Sequence, residues 1–133
     1  MVIKTAIRIQ KVSVWQFYTL WKRRYRKVFR RRENGGVGMR EEDYQTIRKE
    51  IRFTGAVQGV GFRYRAKYAA SGCGVTGWVK NEWDGSVLME AQGTQRQINE
   101  MLKVIHTSPY IRIDRLDYHE IPVEENSRGF HIR

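Results

Sequence analysis

Between Thr46 and Ile121 the spacing of apolar residues switches repeatedly between a strand period and a helix period, and few folds accept that switching. Ile47, Ile51 and Phe53 stand among charges in Thr46 to Thr54, which predicts a strand. Phe62 to Ser71 predicts a helix, since Ala66, Ala69 and Ala70 are good formers, with Gly72 as its stop. Val75 to Lys80 predicts a second strand. Asp84-Gly85 is a hairpin turn, and Ser86 to Ala91 alternates as the returning strand. Thr94 suits the N-cap of a helix over Gln95 to Ile105, with Ile98, Met101, Leu102 and Ile105 on one face and Pro109 beyond its end. Ile111 to Ile121 alternates with a break of register at Arg115, and Phe130 to Arg133 is a last short strand.

That order is βαββαβ plus a short C-terminal strand. It predicts an α+β ferredoxin-like sandwich, an antiparallel sheet with two helices on one face. The length, 133 residues, suits one domain, and 41% hydrophobic residues supply a modest core. Cys73 is the single cysteine, so a disulfide framework and a multi-Cys metal site are excluded, and a cytoplasmic location is the default. No apolar run approaches the ~18 residues of a membrane span.

The net charge of +11 suggests an anionic partner, but it is unevenly spread. Residues 1–38 hold eleven Lys and Arg against one acid, Glu33, and so carry +10 of the total. The remainder is nearly neutral. Gly35, Gly36 and Gly38 make a flexible joint, and they divide a basic N-terminal extension, 1–38, from a domain over 39–133 with its core at about 47–133. Met39 is an alternative start that would leave 95 residues. Within the extension, Val14, Tyr18, Trp21, Tyr25 and Val28 share one helical face from Val12 to Arg32, opposite Lys22, Arg23, Arg26, Lys27 and Arg30. Such a segment either docks weakly on anionic membrane or nucleic acid or is simply a solvated extension, partly helical or disordered.

The chemistry gathers in Gly55-Ala-Val-Gln-Gly-Val-Gly-Phe-Arg63, between a strand and a helix. Gly59 and Gly61 let the backbone turn so that successive N–H groups converge, and the first helical turn adds unpaired N–H groups and partial positive charge. Arg63 falls in that turn with a planar fork that matches phosphate. The loop lacks the Gly-Lys-Ser/Thr ending of a nucleotide-binding loop and the third glycine of a dinucleotide fingerprint. Taken alone it is an anion site or a plain turn.

A second motif narrows the choice. Gly77-Trp78-Val79-Lys80-Asn81 followed by Asp84-Gly85, together with Gly55-x-Val-Gln-Gly-Val-x-Phe-Arg63, resembles the acylphosphatase family over about residues 47–133. The resemblance implies the same sandwich and hydrolysis of the carboxyl–phosphate bond of acyl phosphates, without cofactor or metal. It implies that Arg63 binds substrate, that Asn81 orients the attacking water, and that the amides of Gln58, Gly59, Val60, Gly61 and Phe62 cradle the phosphate. Where family members usually have Gly-Pro after the second helix, this chain has Ser108-Pro109-Tyr110.

These roles are chemically coherent. The leaving carboxylate needs no strong acid, charge spreads over the phosphoryl oxygens, and water needs orientation more than deprotonation. Asn81 taken alone is equally a turn former beside Asp84-Gly85. His106, His119 and His131 lack ligand spacing. Cys73 reads as a packed thiol, Trp78 as a residue of the core or the loop wall, and Trp83 as an exposed turn residue. Arg65 and Lys67 either tune the field of the site helix or are solvated. A monomer is expected. The competing readings are a phosphate-binding module without turnover, docked by its basic tail, and a carbamoyl-phosphate-directed part of a larger maturation protein.

Overall fold

In the computed structural model, which describes residues 5–8 and 44–133, the chain forms β1 (Thr5–Arg8), β2 (Ile47–Ala56), α1 (Phe62–Cys73), β3 (Thr76–Asn81), β4 (Val87–Gly93), α2 (Gln95–His106), β5 (Arg112–Ile121) and β6 (Phe130–Ile132). The strand order is β1-β5-β2-β4-β3-β6. The four middle strands are mutually antiparallel and form, with α1 and α2, the expected ferredoxin-like sandwich. The terminal strand β6 differs: it runs parallel to β3, so the sheet as a whole is mixed.

Strand alternation assigns the two faces of the sheet. Ile51 and Phe53 of β2, Val79 of β3, Met89 of β4 and Leu116 of β5 are fully buried in the core that the helices cover. From α2 come Ile98, Met101, Leu102 and Ile105, the four residues expected on its apolar face. Thr94 caps α2: its hydroxyl accepts from the Gln97 N–H at 3.2 Å, while the Gln97 side chain accepts from the Thr94 N–H at 2.9 Å.

The break at Arg115 has a structural cause. The ladder between β2 and β5 pairs Thr54 with Arg115 and then Gly55 with Ile113, leaving Asp114 as the extra residue of a bulge. Ile111 and Ile113 on one side of the bulge and Leu116 and Tyr118 on the other thus all face the core. The end of α1 departs from expectation. The helix runs through Gly72 and stops at Gly74, whose φ of 75° provides the left-handed cap.

Trp78 is buried, as expected, but outside the core that the helices cover. It pairs across the sheet with Glu90, on the face away from the helices, with the Lys80 ammonium 5.4 Å and the Arg133 guanidinium 4.7 Å from its ring centre. On the same face Arg48, 2% exposed, donates to Glu90 at 2.9 Å, Gln92 at 3.1 Å and Ser127 at 3.3 Å. Gln92 in turn donates to the Glu124 carbonyl and accepts from the Glu124 N–H, so the segment between β5 and β6 is tied down across that face.

β1 was not foreseen in the sequence. It pairs antiparallel along the outer edge of β5, in a register from Thr5↔Tyr118 to Arg8↔Arg115. The helix expected over Val12 to Arg32 and the glycine joint at Gly35 to Gly38 lie outside the described residues.

Candidate active site

β2 and β3 are both antiparallel to β4, which lies between them, so they run the same way and end at one edge of the sandwich. The glycine loop leaves the end of β2 there, and the hairpin turn leaves the end of β3. β5, antiparallel to β2, begins at this same edge. Topology thus gathers both motifs, which lie some distance apart in sequence.

The loop is held from beneath. Val57 and Phe62 are buried, Val60 packs on the core, and the Phe62 ring meets Phe53 at 4.8 Å between centroids, tilted by 58°. Between these anchors Gly59 and Gly61 adopt φ of 72° and 78°, which a residue with a Cβ adopts at a cost of about 1–2 kcal/mol. Gly61 is the N-cap of α1, and no side chain caps that end or places an acid in its first turn. The first turn closes with the Arg65 N–H donating to the Gly61 carbonyl at 3.0 Å. Among the described residues, the backbone N–H groups from Gln58 to Tyr64 have no protein acceptor. They form a run of oriented donors at the positive end of a helix dipole.

Arg63 is the second residue of α1 and half-buried, and it pairs with no carboxylate among the described residues. The carboxylates at the starts of β5 and of the hairpin turn are engaged elsewhere: Asp114 with Arg112 at 3.0 Å, and Asp84 with Ser86 and Arg52. Asn81 is the last residue of β3, exposed, and opposite Val87 in the ladder. The turn after it is well braced. Asp84 Oδ1 accepts from the Ser86 N–H at 3.0 Å and from its hydroxyl at 2.6 Å. These bonds, with Arg52 nearby as a lesser influence, hold the Asp84 carboxyl below its ordinary range.

Gln58 links the two motifs. Its side-chain NH2 donates to the Glu82 carbonyl at 2.7 Å and to the Ser86 carbonyl at 2.8 Å, the two ends of the hairpin turn. The sequence reading assigned Gln58 only a backbone amide in the cradle and missed this side-chain bridge. Arg65 is half-buried and tied down. It donates to the Val104 carbonyl at 3.1 Å and to the Thr107 hydroxyl at 2.8 Å, joining α1 to the end of α2. Trp83 stands at the turn, 97% exposed. Cys73 packs against the core, and partial burial, with Glu100 as the lesser cause, pushes its thiol up. Among the described residues no group of three His, Cys, Asp or Glu is placed to hold a metal ion, and no helix is long and apolar enough to cross a membrane.

Comparison with known proteins agrees with this geometry. Residues 49–132 match the sequence profile of the acylphosphatase family. The acylphosphatase of Lactiplantibacillus plantarum is 40% identical over 84 residues, covering 62% of this chain and 92% of that one. The crystal structure of the Bacillus subtilis acylphosphatase superposes with a TM-score of 0.61 at 31% identity, over 65% of this chain and 98% of that one. An acylphosphatase from Coxiella burnetii gives a TM-score of 0.61 at 28% identity, over 71% of this chain and all of that one.

Proposed function

The chain belongs to the acylphosphatase family and hydrolyses small-molecule acyl phosphates, and we propose that it does so with Arg63 and the amides from Gln58 to Phe62 as the phosphate site and Asn81 as the holder of the attacking water. The observation behind this reading is the run of N–H groups without acceptors among the described residues at the start of α1, beside the half-buried Arg63. Fixed donors and a permanent cation stabilise the charge on the phosphoryl oxygens without reorganising during the reaction. The leaving carboxylate departs unassisted. Water arriving in line is oriented by the Asn81 side-chain carbonyl, which accepts one of its hydrogens.

Around this site we propose a cytoplasmic monomer, divided into a basic extension over 1–38 and the catalytic domain over 39–133. The extension adds charge and not chemistry: the site draws phosphate through local donors in a nearly neutral domain.

Hydrolysis of benzoyl phosphate tests the roles. Arg63→Ala and Asn81→Ala should each lose about 10²–10³ in kcat/KM, the usual effect of removing one preorganised group. They should differ toward inorganic phosphate, which inhibits Asn81→Ala nearly as it does the native enzyme but inhibits Arg63→Ala poorly. Full activity in Asn81→Ala would remove the water-holding role.

A further inference from the structure

Loop and hairpin approach each other from different strands, and the core fixes each from below. Neither the Phe62 anchor nor the ladder of β3 and β4 sets the gap between the loop tip and the hairpin. Across that gap the Gln58 side chain reaches. We propose that Gln58 is a positioning residue whose side-chain amide sets the separation between the phosphate cradle and Asn81. The proposal rests on the reading of Asn81 given above.

The geometry is specific. Both partners of the Gln58 amide are carbonyl oxygens, so only its NH2 end can face them, whichever way the amide is drawn. Each of its two hydrogens has its own acceptor. Those acceptors belong to the turn's own bonds: the Glu82 carbonyl also accepts from the Gly85 N–H at 3.3 Å, and the Ser86 carbonyl from the Glu82 N–H at 2.8 Å. Gln58 therefore grips both ends of a closed turn, not a free strand of backbone. Glu82 follows Asn81 directly, so a shift of the turn moves Asn81 with it. At the other end, the Gln58 backbone lies at the start of the run of free N–H groups. One side chain thus spans from the atoms that hold phosphorus to the residue that holds the water. An in-line attack depends on that separation, and a misplacement of about 1 Å can lower a rate about a hundredfold.

The role predicts a division between kcat and binding. Gln58→Ala keeps the cradle and Arg63, so KM and the inhibition constant of inorganic phosphate stay within about threefold of native, while kcat for benzoyl phosphate falls about ten- to a hundredfold. In an Asn81→Ala background the same substitution lowers kcat by less than about twofold more, because the group it positions is already gone. Gln58→Glu keeps the shape but turns a carboxylate toward two carbonyls. Its kcat is low at neutral pH and recovers as pH falls, when the protonated acid can donate to one of them. Neither the native enzyme nor Asn81→Ala shows that recovery. The pH profile of Gln58→Glu also serves should Gln58→Ala fail to fold. Native kcat in both Gln58 variants, with Asn81→Ala impaired, overturns the positioning role alone. Equal losses in kcat and phosphate affinity overturn it too, since Gln58 would then merely support the loop. Full activity in Asn81→Ala overturns the water-holding reading and the proposal with it.

Discussion

Arg63 and Asp84 show what a single side chain contributes through charge and what through shape. Arg63→Lys keeps the charge but loses the planar fork, so it should restore only part of the phosphate inhibition that Arg63→Ala loses, read as an inhibition constant against benzoyl phosphate. Asp84 acts on the hairpin through its bonds from Ser86. Its folded-state carboxyl is held below the ordinary range, so its contribution is present above that range and is lost as pH falls through the lowered value. The difference in urea midpoint between the native protein and Asp84→Ala should therefore be largest near neutral pH and narrow in acid. A difference that widens in acid would contradict this. The turning glycines Gly59 and Gly61 were legible in the sequence, and Arg63 and Asn81 stand out there as candidates, because the chemistry proposed for them depends on residue type and spacing. The bridge from Gln58 was not, since its acceptors are backbone carbonyls 24 and 28 positions away and carry no sequence signature. The face on which Trp78 is buried was not legible for a related reason: in the strand β3 only the register decides the face, and the register is set by β4.

Among the elements, α2 begins away from the proposed site. It starts after β4, at the edge of the sandwich opposite the hairpin, and its capping box is complete. Thr94→Ala should cost about 1 kcal/mol of stability, read as a lower urea midpoint, with kcat unchanged. Loss of kcat there would mean that α2 transmits strain to the loop, by way of Arg65 and the Val104 carbonyl. The existence and type of every element from β2 to β6 could be read from the sequence, because period and turn chemistry are local. Two details could not. Gly72 and Gly74 are equivalent as stop signals, and the helix passes the first because only the second takes a left-handed φ. The break in β5 appeared as poor alternation, but a bulge needs a partner strand to define it, and that partner is β2, far away in the chain.

For the whole molecule, both outer strands of the four-strand core are covered by the ends of the chain, β5 by β1 and β3 by β6. β1 escaped the sequence reading because four residues in a basic segment carry too little periodicity to mark a strand. Deleting residues 1–38 should leave turnover of benzoyl phosphate intact, since the proposed site lies wholly in the remaining chain. It should also bare the outer edge of β5, which unpaired backbone makes prone to pairing with another copy. Sedimentation at rising concentration checks this: the truncated protein should self-associate where the full chain does not, and loss of turnover on deletion would show that the extension reaches the site. The central position of β2 has a further consequence, in time instead of space. Its ladder with β5 joins residues as distant as Arg48 and Ile121, so the closing of a very long stretch of chain precedes any reward from that pairing. The glycine loop of the proposed site hangs from the end of this strand. A refolding chain therefore has no early, half-built site, and its first turnover should coincide with the slow step in which the sheet closes.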